Sequence, residues 1–536
     1  MFEDARRLAD KTSIEADICV IGAGAAGITI ASGFVGTGRR VCVIESGGLD
    51  FDSNVQRLHK GINTGLYYEP LDLCRVRGFG GSTGPQGWGG WCKPLASIDF
   101  SDRPWLSMPG WPFGRQELDA YYQRAFSTLS LPPETERIAQ AAEGGSEVLQ
   151  LANTVCRTEL CALSPQPHLG HVSRDLLRAA PNVRVLLYAN ATLIATDPAA
   201  RAVTSVQVAT LAGNTLDVTA RFIVLAAGGI ENPRLLLLSD QVNSRGLGNH
   251  ADLVGRCFME HPRFSWGSVT ATHLAPLLLR YDPGSVVRQR KIGASQPASD
   301  LLFGAGVALD EATQRNQKIL NGRSWIVPTP ESGEHESGRE FKEIVFWLKK
   351  RRIPADLGRR LGRVARNMPN VAATIALHLR GRVKRPRRWQ FITVMEQDAY
   401  PDSRVTLDRS RDALGLRKVR LHWRIGALTE ESFRRTRRLL VANMKAAGVN
   451  CEMNLAAAEA EPVDEPRWVW HHMGTTRMSR QAGDGVVDPN CRLHGMENLY
   501  VAGSSVFPTG GNDMPTLTIV ALAHRLTDHL RSRLAE

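Results

Sequence analysis

Two apolar, β-branched runs of strand length, Asp17-Ile18-Cys19-Val20-Ile21 and Val41-Cys42-Val43-Ile44, bracket the most ordered pattern near the start of the chain. Between them Gly22-Ala23-Gly24-Ala25-Ala26-Gly27 breaks the first run, and an Ala/Ile-rich helical stretch continues to Gly38. The pattern predicts strand, tight turn, helix and strand. Strand-like runs return at Val183–Tyr188, Leu193–Ile194, Val203–Val208 and Phe222–Ala226. The last ends in Ala227-Gly228-Gly229, with Pro233 expected to open an apolar helix at Leu235–Leu238. Residues 115–130 read as a helix. Farther on, Phe391–Met395, Ser403–Leu407 and the alternating Val419–Trp423 suggest half-exposed antiparallel strands. Thr429 is expected to cap an amphipathic helix that runs to Ala446, with Glu430 and Glu431 in its first turn.

The first turn has a chemical meaning. Gly22 permits the turn, Gly24 lets the backbone approach a pyrophosphate, and Gly27 lets the helix pack closely on the strand. Ala25 and Ala26 lie at the helix N-terminus, whose free N–H groups and partial positive charge favour a phosphate. Glu45, at the tip of the second strand with Ser46 behind it, is placed to accept ribose hydroxyls. This is a dinucleotide-binding pattern, and by itself it leaves the dinucleotide open. A second glycine-rich run, 78–92, is too rich in glycine for helix or strand. Gly80-Gly81-Ser82-Thr83 there offers successive N–H groups of the kind that cradle phosphate, with Trp88 and Trp91 as walls against a flat ligand.

Length and charge refine the picture. A chain of 536 residues exceeds one simple core and predicts two closely joined domains. The net charge of +12 is local: Lys349–Arg388 carries 14 Lys/Arg against the single acid Asp356, so the remainder sums to about −1. The preferred reading of this segment is a solvated helix face, with Ile353, Leu357, Leu361 and Val364 at helical spacing. The sharper one is a peripheral membrane contact or a docking face for an electron acceptor. No nucleic-acid recognition motif accompanies the charge. Nine cysteines without a CxxC pair, no apolar run of transmembrane length and a polar N-terminal segment predict a reduced, cytoplasmic protein. No metal-ligand spacing is present, and His261 reads as a loop or core histidine rather than a catalytic one.

The end of the chain, Trp470–Leu530, supplies the missing chemistry. Together with Gly22/Gly24/Gly27 and Glu45, Gly80-Gly81-Ser82-Thr83, Ala226–Pro233, Glu396-Gln397 and Pro401–Leu407, it resembles the glucose-methanol-choline (GMC) oxidoreductases, FAD enzymes that oxidise alcohols. The resemblance implies an α/β fold: a Rossmann-like FAD-binding domain, discontinuous over 1–115, 180–262 and 468–536, and a substrate domain with a mixed or antiparallel sheet over 116–179 and 263–467. It implies that His471 takes the proton of a small-molecule alcohol, or holds the alkoxide, while a hydride leaves for flavin N5. It also implies that the helix after Pro515, with Met514 and Thr516 at its start, points its positive end at the flavin. Ala227, Gly228, Gly503 and Ser504 would complete the cofactor site. Residues 82–88 lack the histidine that bonds FAD covalently in some members, so FAD is expected to be dissociable. Where the family has a second His or Asn, this chain has Met514 or Asp513, with Asn512 one step earlier; Asn512 or Asp513 is read equally as binding the substrate hydroxyl or as capping the helix. A flavoprotein lyase is the alternative activity. The substrate's identity and the acceptor, whether oxygen, a quinone or a protein, stay open.

Overall fold

A computed structural model describes residues 1–84, 89–151, 155–269, 274–292, 301–328, 341, 344–345, 348, 357–366, 368, 389–446, 449, 451–452, 466–512 and 514–536. Its α/β architecture is the predicted one. Strand β1 (Thr12–Ile21) leads through helix α1 (Ala25–Gly33) to β2 (Val41–Ile44); β3 is Val183–Leu187. Strand β4 (Thr215–Leu225) runs into helix α2 (Gly228–Leu238), and β5 (Leu499–Val501) precedes helix α3 (Pro515–Ala535). The eight-stranded sheet has the order Phe2–Asp4, β3, β2, β1, β4, Val203–Ala209, Asn190–Thr196, with β5 also paired to β4. From Phe2–Asp4 through β4 and β5 every pairing is parallel. Such strands are covered on both faces, which is why β2 and the end of β1 are apolar at successive positions instead of alternating.

The register explains where a ligand can sit. Ile21 of β1 pairs with Leu225 of β4 and with Ile44 of β2, so the three strands end side by side. The turns that follow, at Gly22, Glu45 and Ala226, therefore meet at one edge of the sheet. Helix α1 lies between the sheet and α3, where a Cβ on Gly33 would come within 2.6 Å of Thr527 Cγ2.

A second sheet of seven strands is antiparallel throughout, in the order Cys451–Glu452, Arg263–Val269, Trp389–Met395, Gly322–Pro328, Leu302–Leu309, Cys156–Leu163, Trp91–Cys92. Helix Ala427–Ala446 packs on it through Phe433, stacked on Phe264 at 4.0 Å between ring centroids. A small third sheet joins Arg404–Arg411 and Arg417–Trp423 to Ile62–Gly65.

Three local expectations change. The helix expected at Thr429 begins at Ala427, and Thr429 is buried within it, its hydroxyl accepting from the Asp398 N–H at 3.1 Å. The stretch 115–130 divides into a 3-10 turn, Arg115–Leu118, and a helix, Asp119–Thr128. Pro233 lies inside α2 and does not open it. Proline has no N–H, so the Gly229 carbonyl loses its i+4 donor. The Thr475 hydroxyl donates to that carbonyl at 2.6 Å, which makes an early start for α2 tolerable.

Of the basic segment, Leu357–Ala365 forms a helix in which Val364 is buried with Ile344 while Leu361 is exposed; Ile353 and most of 349–388 lie outside the described residues. Among the described residues no helix is long and apolar enough to cross a membrane. Among the described residues, eight cysteines are buried.

Candidate active site

A cavity of about 460 Å³ opens where β1, β2 and β4 end. Its first wall is the turn after β1. Gly22 has φ +106 and donates its N–H to Ile44 O at 2.8 Å; a Cβ there would meet Ala226 O at 2.7 Å. Gly27 lies behind the wall, where a Cβ would fall 1.9 Å from Gly22 O, closer than any side chain permits. Gly24, Ala25 and Ala26 face the cavity at the N-terminus of α1. The second glycine loop is pinned onto this turn: Gly80 N–H donates to Ala23 O at 2.8 Å, and a Cβ on Gly81 would approach Gly24 Cα at 3.1 Å. Gly81, Ser82 and Thr83 line the cavity, while Gly80, in the left-handed region at φ +99, forms the bend behind them. Trp88 lies outside the described residues; Trp91 lines the cavity.

At the tip of β2 the buried Glu45 accepts the Ala23 and Gly47 N–H groups, both at 2.8 Å. Burial pushes its carboxyl up, and these backbone N–H groups pull against the rise. Each carboxylate oxygen retains acceptor capacity toward the cavity that Glu45 lines. Ser46 donates to Asn190 Oδ1 and accepts from Arg77, both at 2.6 Å. Arg77 and Arg75 pair with Glu231 at 2.9 and 2.7 Å, and Arg234 adds a third cation at 3.2 Å. Burial would raise the Glu231 carboxyl, but the three guanidiniums, Arg75 first, hold it down at about 2.

The far end of the cavity is built from the C-terminal part of the chain. Ala227 and Gly228 enter from α2, Gly503 and Ser504 from the turn after β5, and Met514 and Thr516 from the start of α3. Ser504 Oγ donates to His472 O at 2.7 Å, and Thr475 is tied to Gly229, so the His471 loop is fastened to the parallel sheet. Trp470 and Met514 sit at φ +66 and +60, a conformation uncommon for large side chains and often retained at functional sites. Among the described residues no side chain caps helix α3, and the positive end of its dipole lies at the cavity wall that Pro515 and Thr516 form.

His471, half-buried, lines the cavity. Its Nδ1 is 2.9 Å from Nδ1 of His261, a fully buried residue 210 positions earlier. His261 is thus enclosed as a core histidine would be, yet it touches the predicted base. The buried Glu260 holds both: Oε1 accepts the His261 and His471 backbone N–H groups at 2.9 and 2.8 Å, and Oε2 accepts the Tyr68 hydroxyl at 2.5 Å. Gln397 Oε1 accepts the Glu260 N–H at 3.1 Å and the Trp423 Nε1–H at 3.0 Å. His472 turns the other way and meets the Tyr68 hydroxyl at 2.9 Å; burial first, then Arg75, lowers its pKa to about 3, so it is neutral.

Ligand atoms of Glu260, His261 and His471 lie within 4.8 Å of one another. Two nitrogens bound to one metal at about 2.0–2.1 Å with a tetrahedral angle stand roughly 3.3 Å apart. The 2.9 Å separation of the two Nδ1 atoms is that of a hydrogen bond.

Asn512 does not line the cavity. It is buried, accepts from Lys93 Nζ at 2.8 Å and donates to Glu159 Oε2 at 2.9 Å; the cap position of α3 belongs to Met514. Asp513 lies outside the described residues. Sequence reading missed Glu260, Tyr68 and the closeness of His261 to His471. The only local signal was the run Glu260-His261-Pro262 before a strand.

Residues 399–523 match the family described as GMC oxidoreductase. The chain is 24% identical over 324 residues to the fructose dehydrogenase large subunit of Gluconobacter japonicus, covering 60% of this chain and 48% of that one. It is 26% identical over 331 residues to a 2-methyl-1,2-propanediol dehydrogenase of Mycolicibacterium austroafricanum, covering 60% and 49%. The matched region thus spans about half the length of these curated relatives. The fold is shared with a crystal structure of formate oxidase, at TM-score 0.59 and 18% identity over 98% of this chain and 99% of that one. The GMC oxidoreductase match thus rests on residues 399–523, and the α/β fold around the glycine-walled cavity is the one seen in formate oxidase.

Proposed function

We propose that the protein binds FAD without a covalent bond and oxidises an alcohol group of a sugar, polyol or related hydroxyl compound, with His471 as the base. The observation that carries this reading is the placement of His471 in the same cavity as the glycine turns and the N-terminus of α3. The cavity fits such a group: a Cβ on Gly24, Gly228 or Gly503 would meet no protein atom within 4 Å, so these glycines leave room along the cavity wall for a ligand pressed against the backbone. Gly22–Gly27 and Gly81–Thr83 would hold the pyrophosphate, Glu45 the ribose hydroxyls, and the N-terminus of α3 the end of the ring that gains negative charge. FAD supplies the acceptor for two electrons and one hydrogen.

The chain's own residues then do the following. His471 accepts the hydroxyl proton as the carbinol C–H bond breaks, its electron pair leaving with the hydrogen, and the substrate becomes a carbonyl compound. Met514, beside Trp91 and Trp325 on the inner face of the seven-stranded sheet, keeps water from that carbon. An electron acceptor, whether oxygen, a quinone or a protein, completes the cycle. The relatives named for fructose and for 2-methyl-1,2-propanediol support a hydroxyl substrate. The division into a discontinuous cofactor domain and a substrate domain belongs to the same proposal.

The test is anaerobic mixing of purified yellow protein with an alcohol panel while the flavin absorbance is followed. Bleaching with one or more alcohols is expected, and His471→Ala should keep the flavin but lose at least about 100-fold in reduction rate. Cleavage of a substrate without bleaching would favour a lyase, and a His471→Ala rate within twofold of wild type would remove the base assignment. Colour that stays with acid-precipitated protein would overturn the non-covalent binding.

A further inference from the structure

The surroundings of His261 determine which nitrogen of His471 carries a proton. His261 Nε2 lies 3.1 Å from Gly510 O and 3.0 Å from Gly511 O. Carbonyl oxygens only accept, so this nitrogen must carry hydrogen. A neutral His261 then has its lone pair on Nδ1, and Nδ1 faces His471 Nδ1 at 2.9 Å, with the two ring planes at 88°. The bond requires the hydrogen of His471 to sit on Nδ1. The lone pair of a neutral His471 is then on Nε2, the nitrogen that faces away from His261.

We propose that His261 is a positioning residue that locks His471 into the Nδ1–H tautomer and so keeps Nε2 able to accept a proton. The proposal rests on the reading of His471 as the base. Which nitrogen of an imidazole is protonated follows from the bond the other one makes. Here that bond is supplied by a ring that is itself fixed by the two carbonyls just ahead of α3. Glu260 keeps the two rings in register, because one carboxylate oxygen receives the backbone N–H of both residues. The Tyr68 hydroxyl and the Gln397 side chain hold Glu260 in turn. Once His471 has taken a proton, its Nδ1–H still has the His261 lone pair to donate to, so the contact stabilises both states of the base. The adjoining His472 is neutral and turned toward Tyr68. A protonated His261 would reverse the bond, drive the hydrogen of a neutral His471 onto Nε2 and abolish the base.

Nitrogen-15 NMR of histidine-labelled protein reads the tautomer without any substrate, so failure of this proposal is separable from failure of the alcohol-oxidation reading. The His471 signals are those lost in His471→Ala. In wild type, Nδ1 is expected in the protonated range and Nε2 in the unprotonated range. His261→Gln, whose amide supplies both a donor for the carbonyls and an acceptor for His471, should keep that pattern and a flavin-reduction rate within about threefold of wild type. His261→Phe should shift His471 toward an averaged or Nε2–H pattern and lower the reduction rate about 10- to 100-fold with little change in substrate KM. If the Phe variant does not fold, the wild-type and Gln spectra with the Gln rate decide the question. A wild-type spectrum with hydrogen on Nε2 of His471 would overturn the proposal. So would a folded Phe variant with unchanged spectrum and rate, or a Gln variant that loses both.

Discussion

The Thr475 hydroxyl joins the His471 loop to helix α2 through a vacancy that a proline creates. Pro233 cannot supply the N–H that the Gly229 carbonyl would receive in an ordinary helix. Thr475 fills the gap at 2.6 Å, and both Thr475 and Gly229 are buried. Thr475→Val keeps the shape and removes the donor, leaving a buried carbonyl short of a partner at a cost of about 1–3 kcal/mol. Unfolding entropy of roughly 2.1 cal/mol/K per residue over 536 residues is about 1.1 kcal/mol/K, so the expected fall in Tm is about 1–3 °C. Pro233→Ala restores the helical donor. In that background Thr475→Val should cost about 1 kcal/mol less than it does alone, a coupling that a double-mutant cycle resolves. The assay is thermal denaturation of cofactor-free protein, followed by circular dichroism, for the four members of the cycle. Equal effects of Thr475→Val with and without Pro233 would refute the reasoning, because the carbonyl would then not be what the hydroxyl serves.

The glycines separate cofactor binding from folding. Gly24→Ala adds a methyl group with no protein atom within 4 Å, so the flavin-free Tm should stay within about 1 °C while flavin retention on a desalting column falls sharply. Gly22→Ala, at φ +106 and 2.7 Å from Ala226 O, should instead lower expression and Tm of the flavin-free protein. Glu231 gives a pH dependence. Its folded pKa of about 2 lies below the ordinary 4.5, so the stabilisation from its three arginines is complete above about pH 4.5 and is lost as pH falls toward 2. Wild-type Tm should therefore drop across that window more steeply than that of Glu231→Gln, and parallel curves would count against the assignment.

What the sequence alone determined is what short-range chemistry dictates. A β-branched run, a glycine spacing of two and three, and an acid at the next strand tip constrain their own backbone, so the first βαβ unit and the parallel sheet were legible before any contact was known. The GMC resemblance was legible for the same reason, since its motifs are contiguous runs. Tertiary structure decided whatever depends on a partner far along the chain. Pro233 reads as a helix start until Thr475, 242 residues later, satisfies the carbonyl that it strands. Asn512 reads as a substrate ligand or a cap until Lys93 and Glu159 occupy its amide. His261 reads as filler until the fold sets its ring against His471, with one carboxylate gripping both backbones. Periodicity reports which face of an element is buried, and glycine spacing reports where the backbone must bend. Neither reports which distant polar group meets another once desolvation forces each buried donor and acceptor to find a mate.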